Sequence, residues 1–263
     1  MKKVIYWCEF PEKVDWKTLQ KILEKLDYHI TIYVPCKDKP QYIWWRQEIK
    51  KLAPNVKEVN VWPILDKEDG YWFSGFTEKY NIDKLDNFNG DKIKIDLEMP
   101  YNAEVYSFWR SLVYVLKHLF KKGPNRMYLL NKIFKLNKES DILVNEFPLP
   151  KFFLKRWGCY VKPIKGIKKN LMCYTSIFPR FYVKYFIKSR LKENKNLSIS
   201  LGLIGPGILK KEPTYKSIKC LKKDLSMASS LGIKNIAVYS LESILDKENP
   251  NDWFKLVQTF EEA

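Results

Sequence analysis

Residues 91–100 read DKIKIDLEMP. A strand turns successive side chains to opposite faces, so Ile93, Ile95 and Leu97 share one face while Lys94, Asp96 and Glu98 share the other. On a sheet with one wet face, the charged set simply meets water. In a parallel sheet covered on both sides neither face is wet, and buried charges are costly unless paired and hydrogen-bonded. What surrounds this strand therefore decides what its charged face means.

Working outward, KVIYWCEF (3–10), HITIYVPC (29–36) and VNVWPIL (59–65) precede it, and DILVNEFP (141–148), LMCYTSIFP (171–179), LSISLGLIGPG (197–207) and KNIAVYSLES (234–243) follow. These are β-rich runs bounded by turn residues. Between them, apolar residues recur at three and four in DWKTLQKILEKL (15–26), YIWWRQEIKKLA (42–53), AEVYSFWRSLVYVLKHLF (103–120) and YKSIKCLKKDLSMASSLG (215–232). The last ends on Gly232, a helix stop. Eight strands alternating with helices predict an α/β protein, a single (β/α)8 TIM barrel over residues 1–263, with no Pro, Gly or Ser linker dividing it. An open doubly wound sheet is the alternative, but WCEFPEKVDW (7–16) lacks the Gly-rich first turn such sheets carry. GCYVKPI (158–164) reads as an added loop element between strands five and six.

Composition narrows the function classes. Hydrophobic residues make up 46% of the 263, enough for a full core. No apolar stretch is long enough to span a membrane, and MKKVIYWCEFPEK runs into charge and proline too early for a signal-peptide core, so the expected location is cytoplasmic. The five cysteines (8, 36, 159, 173 and 220) form no CxxC pair and suit reduced core thiols. His29 and His118 are too few for histidine-based metal chemistry, each reads as structural, and no metal or cofactor is expected. The net charge of +17 would draw nucleic acid, anionic membrane surfaces or polyanionic substrates. Its lysines recur as scattered pairs without an arginine-rich block, which disfavours specific nucleic-acid binding. Oligomeric state is not legible.

In (β/α)8 barrels the active site lies at the carboxyl ends of the strands. Those ends carry Trp7 and Glu9, Trp62, Asp96 with Glu98, Glu146, Tyr174 with Thr175, and Tyr239 with Glu242. Trp72, within YWFSGF (71–76) after strand three, and Tyr101 after strand four add aromatic faces suited to a pyranose ring. Two other readings share these positions. GLIGPG (202–207) could cradle a phosphate, although it lacks the Gly-Lys-Ser/Thr of a P-loop. Glu9, Glu146 and Glu242 with Asp96 could offer oxygen ligands to a hard cation.

Four motifs in order resemble the family 18 glycoside hydrolases, the chitinase-type barrels, and their inactive lectin-like relatives. Asp91, Ile93, Ile95, Asp96, Leu97 and Glu98 match that family's fourth-strand pattern, with Lys94 where its middle Asp stands. Met172-Cys173-Tyr174-Thr175 is similar to its Met-x-Tyr-Asp, with Thr175 replacing the Asp. Leu201-Gly202-Leu203 before Gly205-Pro206-Gly207 resembles its Gly-Leu-Pro and Tyr-Gly. Val238-Tyr239-Ser240-Leu241-Glu242 resembles its eighth strand, with Tyr239 for the Trp that floors the sugar site. The Ser-x-Gly-Gly of its third strand is missing.

The resemblance, over about residues 90–245, implies substrate-assisted retaining hydrolysis of an N-acetylhexosamine glycan. Glu98 would protonate the glycosidic oxygen, Asp96 would orient the acetamido group, and Tyr174 would hydrogen-bond its carbonyl oxygen. Lys94 would hold Asp96 as a fixed anion. A sugar-binding barrel without catalysis, or one that binds anions or phosphorylated sugars, remains the alternative.

Overall fold

The computed structural model describes residues 2–100, 113–114, 116–209 and 211–263. Tyr101 and most of the helix expected over 103–120 lie outside them. Eight parallel strands run in chain order: β1 (Lys3–Trp7), β2 (Ile30–Cys36), β3 (Val56–Pro63), β4 (Lys92–Asp96), β5 (Asp141–Glu146), β6 (Ile167–Met172), β7 (Ser198–Leu201) and β8 (Asn235–Tyr239). Each pairs with the next, and β8 pairs with β1 from Lys3↔Asn235 to Trp7↔Tyr239, so the sheet closes into the (β/α)8 barrel.

The described helices are α1 (Trp16–Lys25), α2 (Lys39–Leu52), α3 (Lys79–Asp83), α4 (Arg126–Leu136), α5 (Lys151–Trp157), α6 (Arg180–Leu191), α7 (Ile218–Ser230), α8 (Leu241–Leu245) and α9 (Pro250–Glu262). Their ends follow local chemistry. Asp15 accepts hydrogen bonds from the Lys17 and Thr18 amides to start α1, and Asp38 accepts from Gln41 N to start α2. Gly158 ends α5 at φ 75°.

Strand parity sorts the interior. Ile5, Trp7, Tyr33, Trp62, Leu143, Met172 and Ala237 fill the barrel, whereas Ile93, Ile95, Leu97, Ile142, Val144, Leu171 and Ile199 pack outward with the helices. The strand expected over 171–179 instead runs Ile167–Met172, and 173–179 form the loop leading to α6. Lys168, Lys169 and Asn170 disguise this strand as polar, yet Lys169 and Asn170 are buried. GCYVKPI is coil between Trp157 and β6.

Candidate functional site

Beyond Asp96 the β4 chain gains a second support. Phe73, from the loop after β3, donates its N–H to Asp96 O (3.1 Å) and accepts from Glu98 N (3.1 Å), while Leu97 N donates to Asn145 O (3.2 Å). Glu98 is thereby fixed at the mouth of the barrel, and the loop that fixes it brings Trp72 to the same place. Glu9, Trp62, Trp72, Lys94, Asp96, Glu98, Tyr174 and Tyr239 line one cavity, enclosing about 480 Å³ counted out to its open mouth.

Lys94 forms the floor of its charged side. Its ammonium lies 3.0 Å from Asp96 Oδ2, over the Trp62 ring (3.0 Å to the centroid) and the Trp7 ring (4.5 Å), and the residue is 1% exposed. Asn145 Nδ2 donates to the other Asp96 oxygen at 2.6 Å. Asp96 is thus gripped through both oxygens. Burial pushes its carboxyl upward, against the pull of Lys94 and Asn145. Burial lowers Lys94, and the Asp96 charge opposes that shift.

Among the described lining residues, the other carboxyls outnumber this cation. Burial pushes Glu98 well above the ordinary carboxylate value; the Asp96 charge adds to this, and Lys94 counteracts it. Glu9, pushed up to about 6 by burial, accepts from the Tyr239 hydroxyl, from Ile208 N (3.1 Å) and from the Tyr71 hydroxyl (3.4 Å). Gly207 reaches this carboxylate so closely that a Cβ would stand 2.9 Å from Oε2, which accounts for a glycine there. Glu212, on the loop after β7, is raised to about 7 by burial and by Glu9. Tyr174 and Tyr239 are raised well above the usual phenol range by burial, so both are hydroxyl donors at neutral pH. The arrangement can present a protonated carboxyl, an anchored carboxylate and two phenols to a bound molecule.

The remaining candidates lie elsewhere. Trp7 sits beneath the cavity, its indole N–H donating to Ser200 Oγ at 2.9 Å. Glu242 lies behind it, accepting from Glu9 N at 3.2 Å, with its carboxyl raised to about 7 by burial. Glu146 does not join the mouth. It follows the outward parity of Ile142 and Val144 and pairs with Lys169 (2.7 Å) and Arg190 between sheet and helices. A cation site shared by Glu9, Asp96, Glu146 and Glu242 is thereby excluded, and no metal-binding cluster of three His, Cys, Asp or Glu occurs among the described residues. Thr175 also points outward, donating to Asp224 of α7. Sequence reasoning missed Asn145, whose inward parity on β5 was countable, and Glu212, which lies in irregular chain with no periodic signal.

No family model matches the sequence, and the search of curated proteins returned no match. Solved structures do resemble it. The glycoside hydrolase domain of PgaB (BpsB) from Bordetella bronchiseptica superposes with a TM-score of 0.59 at 10% identity, covering 96% of this chain and 97% of that one. A glycoside hydrolase family 18 N-acetylglucosaminidase from Paenibacillus barengoltzii gives 0.52 at 8% identity, covering 99% and 100%. In fold, the chain is a (β/α)8 barrel like that of these glycoside hydrolase domains. A D-tagatose 3-epimerase-like protein superposes as well, with a TM-score of 0.51 at 10% identity over 100% of this chain and 97% of that one. The fold alone therefore does not fix an activity, which has to be argued from this chain's residues.

Proposed function

We propose that the protein is a glycoside hydrolase that cleaves a glycan containing N-acetylhexosamine units by substrate-assisted, retaining chemistry. The observation carrying this reading is the convergence of Asp96, Glu98, Tyr174 and Tyr239 on one cavity at the carboxyl end of a closed barrel. In the first step the acetamido carbonyl oxygen attacks the anomeric carbon, the bond to the leaving oxygen breaks, and Glu98 gives that oxygen its proton. In the second, Glu98 as carboxylate takes a proton from water, whose oxygen adds to the anomeric carbon and releases the acetamido group.

Lys94 and Tyr239, two of the departures from the family pattern, fit this division of labour. Lys94 and Asn145 occupy one lone-pair direction on each Asp96 oxygen, leaving others to accept the acetamido N–H. Burial, with the charge of the anchored Asp96 adding to it, favours the protonated form of Glu98, the state a general acid requires. Tyr174 is the donor for the acetamido oxygen, and Tyr239 and Trp62 supply aromatic surface for the sugar ring. A reducing, cytoplasmic location is part of the proposal, supported by five unpaired cysteines, four of them buried.

A second reading, sugar binding without catalysis, is favoured by Thr175 turning away toward Asp224 instead of placing a carboxylate in the cavity. A panel of N-acetylated oligosaccharides, with wild type set against Glu98→Gln, separates the two. Turnover by wild type alone supports hydrolysis. Binding by both without turnover supports a lectin-like role, and equal turnover by both removes Glu98 from the mechanism.

A further inference from the structure

The net charge of the chain is unevenly placed. Residues 105–192 hold twenty Lys and Arg against three acids, a surplus of seventeen, while the remaining residues balance at twenty-seven of each. The whole +17 thus belongs to the third of the sequence that follows β4, β5 and β6. Of the three acids, Asp141 is paired with Lys168, Glu146 is buried with Lys169 and Arg190, and Glu139 accepts from Asn89.

The exposed large hydrophobic residues gather in the same third. Eight of the eleven on the described surface are Val113, Leu116, Phe120, Met127, Phe152, Ile164, Phe181 and Tyr185, with Phe120 76% and Phe181 77% exposed. Side-chain and backbone bonds knit their supports into one side of the barrel. Arg156 donates to Phe120 O and lies over the Phe152 ring, and Trp157 Nε1 donates to His118 O (2.9 Å). Tyr182 donates to Pro148 O (2.8 Å) and Arg190 to Leu149 O (3.0 Å), holding α6 beside α5. On α6, Phe181, Lys184, Tyr185 and Lys188 stand exposed at the spacing of a single helix face. Lysines thus alternate with large apolar side chains on a surface that has almost no free acid.

We infer that this side of the barrel, centred on α5 and α6, docks on the surface of an anionic lipid bilayer. Charge complementarity supplies the attraction, at about 1 kcal/mol per basic residue near such a surface. The apolar side chains select a bilayer over nucleic acid. Val113, Leu116, Met127 and Ile164 have no ring to stack on a base, yet all can enter the headgroup boundary beside Phe and Tyr while lysine stems reach outward. Three arginines that could have forked onto phosphates are already engaged, Arg156 by a carbonyl, Arg180 by Asp224 and Arg190 by Glu146. No helix among the described residues is long and apolar enough to cross a membrane, so the contact is interfacial.

Co-sedimentation of the full chain with phosphatidylcholine vesicles, with and without phosphatidylglycerol, tests this. The expected result is binding at least about tenfold tighter to the phosphatidylglycerol vesicles, weakened by salt. Phe181→Ser combined with Tyr185→Ser weakens it roughly tenfold or more through lost apolar insertion, and Lys184→Glu with Lys188→Glu weakens it by a similar factor. Circular dichroism and the thermal midpoint confirm that each variant is folded, and Phe152→Ser serves as the apolar variant should the α6 pair misfold. Failure of wild type to bind phosphatidylglycerol vesicles overturns the inference, as does vesicle binding that ignores all apolar substitutions. Binding of a single-stranded oligonucleotide without vesicle binding assigns the surface to nucleic acid instead.

Discussion

Two buried charge clusters sit on opposite faces of the same sheet, and they are built differently. Outside the barrel, Glu146 is enclosed by Lys169 and Arg190, with both cations near the Tyr160 ring. Inside, Lys94 is the one cation among the described residues that line the open cavity, beside Asp96, Glu98, Glu9 and Glu212. The outer cluster answers its one carboxylate with two cations. Among the described residues the inner one has more acids than cations, and burial pushes the Glu98, Glu9 and Glu212 carboxyls upward, toward holding protons. Proton-holding carboxyls at a cavity are chemically useful; a carboxylate closed by two cations is a structural tie.

The largest effect that would break this contrast is on turnover. Glu98→Gln should lower kcat on an N-acetylated substrate by about 10²–10⁴, the usual worth of a general acid, while the thermal midpoint stays about the same, because a neutral amide replaces a carboxyl that burial already favours in its neutral form. Glu146→Gln should do the reverse. It leaves two buried cations without their anion and should cost about 3–5 kcal/mol in chemical denaturation, with kcat unchanged at temperatures where the variant is folded.

A smaller effect sharpens the contrast through pH. The Glu242 carboxyl is raised by burial to about 7 in the folded chain, while in the unfolded chain it titrates near its ordinary value of about 4.3. Between those values the folded state binds the extra proton, so its contribution to stability is complete below about pH 4 and is lost as pH rises through 7, by about 4 kcal/mol in all. Glu242→Gln should remove that share of the slope in unfolding measured from pH 4 to pH 8. An unchanged slope would show that Glu242 does not hold the proton. Tyr239→Phe is the mildest change. It takes away the hydroxyl that Glu9 accepts, costing roughly 1.5–3 kcal/mol, and it should raise the Glu9 carboxyl further, read as an upward shift in its NMR titration.

Much of this arrangement was legible in residue order. Eight alternating segments gave the barrel because the period of apolar residues changes cleanly from two to about three and a half between strand and helix. Parity on β4 separates Ile93, Ile95 and Leu97 from Lys94, Asp96 and Glu98, and the closed sheet turns the second set inward. Other features depended on contacts between distant segments. Lys169 looks like a surface residue until Glu146 and Arg190 are brought to it, which is why β6 was expected four residues too late. Glu146 occupies a strand end like Glu98 but has the opposite parity, so position along the strand misled where face would not. Glu212 comes from irregular chain, and only the folded loop carries it to the cavity. The charge of residues 105–192 was countable from the start, but its meaning required seeing Phe120, Phe152, Phe181 and Tyr185 left exposed beside it.

The central claim is tested most directly by comparing an N-acetylated oligosaccharide with its de-N-acetylated counterpart, using wild type and Glu98→Gln on both. The account predicts that wild type cleaves the N-acetylated substrate with retained anomeric configuration and leaves the other intact, and that Glu98→Gln cleaves neither. Cleavage of both substrates by wild type, or undiminished cleavage by Glu98→Gln, would contradict it.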